Sequence, residues 1–273
     1  MRSGERLTVP PGGHIDVSVL IVVWNQPHLL LRCLKALMAQ SDVSFEVVLL
    51  DNGSGAASGA LFSRLDGFVR LRNNRNLGFL VGCNQAAARA SADYLLLLNS
   101  DAFVRPGAVA NALGALRSAE DVGAVGGRLI LPTGRLQEAG SIIWADGTTN
   151  GFGRGLDPED PTVMIRRDVD YCSGAFLMTP RWAWERLGGF DEAYAPAYYE
   201  EADYCMRLRQ LGLRVVYEPT AAVDHFEFGS EARAGDAVAL SERNRAIFVG
   251  RHAGALSSFR PRAQAGEARV APA

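Results

Sequence analysis

Apolar residues occur along this chain in two patterns that alternate. Strand-like segments occupy residues 17–23, 45–50, 68–72 and 94–98, and the run at 17–23 is typical of a strand covered on both faces. Apolar residues spaced three and four apart indicate helices after these runs, one beginning near Pro27 and others at about residues 57–65, 80–90 and 106–119. Strands that alternate with helices predict an α/β fold with a parallel sheet and right-handed crossovers.

The second half of the chain has a different texture. Residues 132–170 hold many Gly, Asp and Pro residues around one short apolar group, which predicts a hairpin and a long excursion. Further strand-like and helical patterns follow at about residues 169–178, 200–211, 213–217 and 236–250. Because no repeat or clean linker interrupts residues 15–255, we expect one domain there, with flexible tails at residues 1–14 and 256–273.

Composition and charge exclude several classes of protein. The 28 Lys and Arg residues against 30 Asp and Glu residues give a net charge of −2, which argues against a nucleic-acid partner. The longest apolar stretch is far shorter than the roughly 20 residues that cross a bilayer, and no secretory signal is evident. The four cysteines are widely spaced, which predicts reduced thiols in the core. We therefore expect a cytoplasmic protein.

Polar residues follow each of the four strands predicted in the first half. They are Asn25, then Asp51 and Asn52, then residues 73–76, and then Asn99, Ser100 and Asp101. In open parallel α/β sheets, ligands bind in the loops at the carboxyl ends of the strands. Asn and Asp also form turns, and this alternative stays open for Asn25 and Asn52.

Asp101 is poorly explained as a turn residue. It comes directly after an apolar strand, where a carboxylate is costly to bury without a cation or hydrogen bonds. A divalent cation is the natural partner, since Mg²⁺ takes oxygen ligands and Mn²⁺ also accepts an imidazole. His225, near the end of an apolar segment, is a candidate for that imidazole, with a structural role as the alternative.

A third acidic group, Glu200, Glu201 and Asp203, opens the helix predicted at residues 200–211. Acidic residues in a first helical turn also have a bland explanation, because they complement the helix dipole. Glu200 and Asp203 share a face of the helix, whereas Glu201 points roughly 100° away from Glu200. This spacing allows one carboxylate to face a cleft while another braces the loop.

Taken together, these segments resemble the family 2 inverting glycosyltransferases of the GT-A fold, particularly bacterial rhamnosyltransferase-like and galactofuranosyltransferase-like members. The resemblance covers residues 15–252 and rests on eight motifs in order: SVLIVVWNQPHLLLRCLKAL, VVLLDNGS, NRNLGFLVGCNQA, LLLLNSDA, CSGAFLMTPR, GGFDEAYAPAYYEEADYCMRLRQLG, AAVDH and SERNRAIF. It implies a nucleotide-binding, mostly parallel sheet flanked by helices, with a short antiparallel excursion and C-terminal helices.

The resemblance implies a site for a nucleotide-sugar donor. Asp51 is similar to the residue that hydrogen-bonds the pyrimidine, and Val23, Trp24 and Asn25 line the same pocket through their backbone. The segment that packs along the ribose and diphosphate corresponds to Asn76, Gly78, Phe79, Gly82 and Asn84.

The family's Asp-x-Asp motif corresponds to Asn99, Ser100 and Asp101. Asp101 resembles the metal ligand, and His225 resembles a histidine that often completes the site, so the resemblance implies Mg²⁺ or Mn²⁺ as cofactor. Asn99 replaces an acidic residue of the motif, which removes one negative charge near the ribose.

The resemblance also implies an inverting mechanism by direct displacement. Glu200 and Glu201 match the family's acidic pair, whose second member is the general base, although a Glu in place of Asp leaves open which of the two acts. Asp203 is interpreted as an acceptor-orienting residue or as a simple helix-start acid. Asn244, Arg245 and Phe248 match a late segment of the family and receive no role.

The substrates are expectations from the same resemblance: a dTDP- or UDP-sugar donor, with dTDP-rhamnose a weak preference, and a saccharide or lipid-linked saccharide acceptor. Such an acceptor implies peripheral contact with the inner face of a membrane. A nucleotidyltransferase is an alternative, but the glycine- and lysine-rich loop of that class is missing where VVWNQPH stands. A catalytically inactive nucleotide-sugar-binding subunit is another. Trp144, Trp182 and Trp184 are candidates for an acceptor site or, more simply, for the core.

Overall fold

The computed structural model describes residues 6–9, 13–227 and 234–262. Its strands are β1 (Leu7–Thr8), β2 (Val17–Val23), β3 (Phe45–Asp51), β4 (Leu65–Asp66), β5 (Val69–Arg72), β6 (Tyr94–Leu98), β7 (Ala102–Val104), β8 (Val122–Ile130), β9 (Leu136–Ala139), β10 (Ser141–Ile143), β11 (Thr149–Gly151), β12 (Arg167–Asp168), β13 (Phe176–Pro180) and β14 (Arg214–His225). Its helices are α1 (Pro27–Met38), α2 (Ala56–Phe62), α3 (Phe79–Ala87), α4 (Ala108–Leu116), α5 (Arg181–Leu187), α6 (Glu200–Gln210) and α7 (Ala234–Leu256).

One large mixed sheet organises these elements, in the order β12-β14-β8-β13-β6-β2-β3-β5. Strands β6, β2, β3 and β5 run parallel to one another, as the sequence predicts. Strand β13 lies between β6 and β8 and runs antiparallel to both, while β14 runs parallel to β8. The carboxyl ends of β6, β2, β3 and β14 therefore lie on the same edge of the sheet.

Side chains of the central strands pack alternately against two apolar layers. Val19 and Val47 pack with α1 and α4 on one face, and Leu20 and Val48 pack with α3 and α6 on the other. Because both faces are covered, the strands need apolar residues at every position, which explains the continuous runs in the sequence. The sheet edge is thus held rigidly where the loops emerge.

The structure differs from the sequence prediction at the start of α1 and at the end of β14. Asn25 does not cap α1: the helix begins after Gln26, and Asn25 Oδ1 instead accepts a hydrogen bond from the backbone N–H of Gly55. Strand β14 does not stop at residue 217 but continues to His225, because its second half pairs with both β8 and β7.

Parts of the predicted tails are also structured. Leu7 and Thr8 form β1, which pairs in parallel with β4, and the side chain of Val9 is buried. Near the other end, Phe259 packs against the core and the carbonyl of Arg260 accepts from the backbone N–H of Ala145. The remaining tail positions, 1–5, 10–12 and 263–273, lie outside the described residues.

Two other expectations concern the core and the membrane. All four cysteines are buried and free, which confirms the prediction of reduced core thiols. In the part of the chain that the structure describes, no helix is both long enough and apolar enough to span a bilayer.

Candidate functional site

A pocket of about 460 Å³ opens at the sheet edge where the carboxyl ends of β2, β3 and β6 meet the turn that precedes α6. Of the residues singled out in the sequence, those that line it are Trp24, Asn76, Gly78, Phe79, Asn99, Ser100, Asp101, Glu200 and Glu201. The pocket therefore joins the predicted donor segment, the predicted metal ligand and the acidic pair in one space.

The other lining residues have no role predicted from the sequence, although all except Ala237 and Leu240 lie within the eight motifs. They are Val22, Asn52, Ser173, Gly174, Ala175, Pro196, Ala197, Tyr198, Ala237 and Leu240. Asn52 was noted only as a strand-end residue, and its position beside Asp51 was the available signal. Val22 belongs to β2, and the others come from loops and from α7, whose approach to the pocket is decided by packing.

Asn52 organises the loop between β5 and α3. Its Nδ2 donates to Asn76 Oδ1 at 2.9 Å and to the carbonyl of Gly78 at 3.0 Å. Its Oδ1 accepts from Asn73 Nδ2 at 3.0 Å and from the backbone N–H of Leu77 at 3.1 Å. Since Asn52 is buried, these four bonds satisfy its whole amide and hold the loop in a single shape.

Asp51 lies at the end of β3 and is also buried. Its Oδ1 accepts from the backbone N–H of Ser54 at 2.8 Å, whereas its Oδ2 lies 3.4 Å from Arg72 Nη1 and has no hydrogen-bond partner among the described residues. The charge of Arg72 therefore faces this buried oxygen, and Asp51 is not among the residues that line the pocket. The hydroxyl of Ser54 accepts from the backbone N–H of Asn25, which ties the two neighbouring loops together.

Two glycines of the donor segment have distinct structural reasons. Gly78 has φ +89°, and a Cβ there would lie 2.5 Å from the carbonyl oxygen of Pro196. Gly82 is packed on Val22, 2.7 Å from where its Cβ would stand. Gly78 therefore permits contact between the donor loop and the turn before α6, whereas Gly82 permits α3 to approach β2.

Some predicted site residues lie behind the pocket. The amide of Asn84 donates to and accepts from the backbone of Phe190, and the side chain of Val23 is buried in the core. Asp203 is buried away from the pocket and bonds Tyr194, His252 and Arg207. Asp203 thus joins α6 to α7 and to the segment before α6.

Asp101 lines the pocket, and the buried His225, which is not among the lining residues, lies directly beside it. Strand β14 places His225 opposite Ala102 of β7, and His225 Nε2 lies 3.4 Å from Asp101 Oδ1 and 3.3 Å from Asn99 Nδ2. On its other side, His225 Nδ1 lies 2.8 Å from Gln137 Oε1. An amide oxygen can only accept and an amide nitrogen can only donate, so Nδ1 carries a proton toward Gln137 and the lone pair of Nε2 faces Asn99 Nδ2.

This donor set fits a divalent cation. A carboxylate oxygen and an imidazole lone pair face each other, both are electron-pair donors, and a cation between them would satisfy both. Within residues 6–9, 13–227 and 234–262, no group of three His, Cys, Asp or Glu residues converges as a complete metal site. Two protein ligands would leave the other coordination positions of the ion for water and diphosphate oxygens. Mg²⁺ usually keeps several such ligands.

Glu200 and Glu201 lie side by side on the opposite wall. Glu200 is buried, and its Oε2 has no hydrogen-bond partner within the described part of the chain. Glu201 is less buried and its Oε1 lies 3.5 Å from the backbone N–H of Gly174, while its Oε2 is likewise unpartnered there. Burial raises the pKa of both carboxyls, and the neighbouring Glu201 raises that of Glu200 further.

A third carboxyl, that of Glu138 on β9, lies behind this wall. Its Oε1 accepts from the backbone N–H of Ser173 at 3.3 Å, next to the Gly174 N–H that faces Glu201. Burial raises the pKa of Glu138 to about 7, and the charge of Glu201 adds to this effect. Sequence reasoning missed Glu138 because β9 lies in the region without a clear pattern.

The tryptophans divide between core and surface. Trp144 and Trp184 are buried, and Trp182 is exposed beside a separate surface groove. Only Trp24 among the chain's four tryptophans lines the pocket described above. An aromatic ring at the mouth offers a flat face to a nucleobase or a sugar.

Comparisons with known proteins agree with this architecture. The model of the family described as Glycosyl transferase family 2 matches residues 18–173. The chain is 30% identical over 246 residues to the O-antigen biosynthesis protein RfbC of Myxococcus xanthus, covering 85% of this chain and 19% of that protein. It is 28% identical over 265 residues to an N-acetylglucosaminyl-diphospho-decaprenol L-rhamnosyltransferase of Mycobacterium tuberculosis, covering 87% of this chain and 85% of that protein. The chain thus spans about a fifth of one relative and most of the other.

Among solved structures, that of GalNAc-T7 with UDP, GalNAc and Mn²⁺ superposes with a TM-score of 0.68 at 15% identity. The match covers 89% of this chain and 50% of that one. At such identity the likeness shows the fold alone. The predicted α/β GT-A fold is confirmed.

Proposed function

Because the chain belongs to glycosyl transferase family 2, we propose that it is an inverting glycosyltransferase that moves a sugar from a nucleotide-diphosphate donor to an acceptor hydroxyl. The observation that carries this proposal is the pocket itself. It gathers the acidic pair Glu200 and Glu201, each with one oxygen that has no hydrogen-bond partner in the described part of the chain, with Asp101 and with the loop that Asn52 organises. Donor, base and leaving-group stabilisation can therefore act on one anomeric carbon.

The donor half of the pocket suits a pyrimidine nucleotide. Asp51 lies next to the lining residue Asn52, and its Oδ2 would accept from the N3–H of uracil or thymine, while Trp24 would offer a ring face. The loop from Asn76 to Gly78 would follow the ribose and diphosphate, where glycine lets the backbone approach closely. A UDP- or dTDP-sugar fits this description. The rhamnosyltransferase relative favours dTDP-rhamnose among these.

Asp101 Oδ1 and His225 Nε2 would hold a Mg²⁺ or Mn²⁺ ion, with Gln137 fixing the imidazole at Nδ1, and the ion would replace Asn99 Nδ2 at Nε2. When bound, such an ion would neutralise the negative charge that develops on the departing diphosphate. The named solved structure contains Mn²⁺ and UDP, which supports this use of the site.

Glu201 is the better candidate for the base. In a pair of buried carboxyls the more deeply buried one holds its proton longer, and Glu200 is the more buried of the two. Glu201 would accept the proton of the acceptor hydroxyl as the acceptor oxygen bonds the anomeric carbon. The bond from that carbon to the diphosphate oxygen breaks on the opposite face, and its electron pair leaves with the diphosphate. Attack from the opposite face inverts the anomeric configuration.

The acceptor is proposed by class only. Ala237 and Leu240 of α7 add apolar surface to the wall near the acidic pair. The tuberculosis relative is named for a lipid-linked saccharide, which supports a saccharide or lipid-linked saccharide as acceptor and a peripheral membrane contact here.

Product analysis with a panel of UDP- and dTDP-sugars and either metal tests the proposal. Release of nucleoside diphosphate with transfer or hydrolysis of the sugar is expected. Release of pyrophosphate would identify a nucleotidyltransferase. If folded protein binds a donor but neither transfers nor hydrolyses it, and Glu201→Gln leaves complementation intact, the chain is a binding subunit.

A further inference from the structure

The turn that delivers the acidic pair to the pocket is conformationally strained. Tyr198 and Tyr199, the two residues directly before Glu200, have φ of 75° and 74°. Side chains with a Cβ rarely adopt this left-handed region, and two in succession persist only where surrounding contacts hold them. The position of Glu200 and Glu201 therefore depends on what holds this turn, residues 194–199.

Asn244 of α7 makes those contacts. Its Nδ2 lies 2.7 Å from the carbonyl of Tyr194 and 2.8 Å from those of Ala197 and Tyr198, so its two N–H groups are shared among three acceptors. Its side chain is fully buried. One amide thus reaches three carbonyls of a turn six residues long, and it is the kind of buried polar hub that specifies one conformation.

The orientation of that amide is set by its neighbour. Asn244 Oδ1 accepts from Nε and Nη2 of Arg243, at 2.9 and 2.7 Å, so the NH₂ group must face the turn. Arg243 Nη2 also donates to the carbonyl of Ala195 at 2.6 Å. Two successive residues of α7 therefore bind four carbonyls of the turn.

The other side of the turn faces the donor loop. The carbonyl of Pro196 packs where Gly78 lacks a side chain, and Pro196, Ala197 and Tyr198 all line the pocket. The turn is thus clamped between α7 and the donor segment, and a shift of its backbone would move the carboxylates that follow it.

We propose that Asn244 is a positioning residue that holds the turn at 194–199, so that Glu200 and Glu201 project into the pocket. The proposal rests on the proposed function for its catalytic consequence. Its structural half stands separately, because the order of the turn can be measured without turnover.

Three variants of the full chain test it. Asn244→Asp keeps the shape and the acceptor that Arg243 binds, but it replaces the donor with an oxygen that repels the carbonyls. Asn244→Ser is milder and keeps one hydroxyl donor, so a folded variant is available if the aspartate does not fold. Leu256→Ala is the matched control, because Leu256 is buried in α7 beyond the kink at His252 and outside the pocket.

We expect Asn244→Asp to lower kcat about 100-fold, because misplacement of a reacting group by about 1 Å has an effect of this size. The KM for donor should change less than about threefold, since β2, β3 and α3 carry most donor contacts. Asn244→Ser should retain more activity than the aspartate variant. Leu256→Ala should lower the melting temperature. At temperatures below that point, its kcat should stay within about twofold of the wild-type value.

Amide hydrogen exchange tests the positioning role without a measurement of activity. In both Asn244 variants, exchange should rise first at residues 198–203, including the Asp203 N–H that donates to Tyr199. In Leu256→Ala the rise should not centre there. If the Asn244 variants show unchanged exchange in this segment, or if kcat falls only as the folded fraction falls, the positioning role is overturned. If wild-type protein shows no transfer, the proposed function fails while the exchange result still decides the positioning.

Discussion

Nε2 of His225 lies 3.4 Å from Oδ1 of Asp101, although the two residues come from opposite halves of the chain. Strand β14 creates this contact by running past residue 217 to pair with β7. Two lone-pair donors at this distance, both nearly buried, favour a cation between them. The metal-dependent predictions begin from this pair.

Loss of the Asp101 carboxylate should weaken metal binding. Asp101→Asn leaves one strong ligand, so binding of Mn²⁺ with UDP or dTDP should weaken at least about tenfold, and transfer should fall at least about 100-fold. Titration calorimetry and Mn²⁺ electron paramagnetic resonance measure the binding, and a chelator should abolish wild-type transfer reversibly. Asp224→Asn is the matched control, because Asp224 is adjacent to His225 but pairs with Arg105 at the surface. Equal Mn²⁺ affinity in wild type and Asp101→Asn would rule out this ligand.

The acidic pair should behave asymmetrically. Glu201→Gln removes the proposed base and should lower kcat about 100- to 10,000-fold, with donor binding retained. Glu200→Gln resembles the protonated form that burial favours, so kcat should stay within about tenfold. Single-turnover kinetics with separately measured donor affinity distinguish the two. The reverse ranking would make Glu200 the base.

The pH profile of kcat follows from the same pair. Burial raises the pKa of Glu201, so the proposed base becomes protonated at a higher pH than an ordinary glutamate does. Activity should therefore fall as pH decreases, with the acid limb centred above the usual glutamate pKa of about 4.3. Profiles of kcat at saturating donor and acceptor test this. An acid limb centred at the ordinary value would contradict the burial effect.

Gly78 should be essential because a side chain there would clash with Pro196, whereas a side chain at Gly134 would clash with nothing. Gly78→Ala would place a Cβ 2.5 Å from the carbonyl oxygen of Pro196, displacing either the donor loop or the turn before α6. Gly134 also has positive φ, +76°, but has nothing within 4 Å of its Cβ position. Gly134→Ala should cost about 1 kcal/mol of stability with normal kinetics. Gly78→Ala should additionally weaken donor binding and lower kcat. Equivalent kinetics for the two variants would exclude the packing argument.

Glu138 should make stability depend on pH. Its pKa is raised to about 7 in the folded protein, so folding favours the neutral carboxyl over the carboxylate. The associated stability is complete below about pH 4.5 and is lost as pH rises through about 7, by up to about 3 kcal/mol. Glu138→Gln cannot ionise, so its advantage in free energy of unfolding over wild type should grow by about that amount from pH 4.5 to 8. Urea denaturation at several pH values measures it. The exposed Glu185→Gln serves as control, and a pH-independent difference for Glu138→Gln would contradict the expectation.

Much of the fold could be predicted from local pattern. The apolar runs of β2, β3 and β6 are continuous because both faces of those strands are covered, and strands of that kind belong to parallel sheets. Polar residues directly after such strands must lie at the carboxyl edge. For this reason the sequence alone placed Asp51 and Asp101 at one edge of the sheet, and the helix pattern placed Glu200 and Glu201 in a first turn.

Only the tertiary structure decided the partners of these residues. Asp203 hydrogen-bonds His252 and Arg207 rather than facing the pocket, and Asn25 accepts a hydrogen bond from Gly55 rather than capping α1. Asn244 donates to carbonyls of a turn 46 to 50 residues earlier in the chain. Sequence patterns record whether a position is buried and whether a turn begins there, because those properties are set by neighbours along the chain. Which distant carbonyl or imidazole meets a side chain depends on strand register and helix docking, and these are settled by packing of the whole molecule.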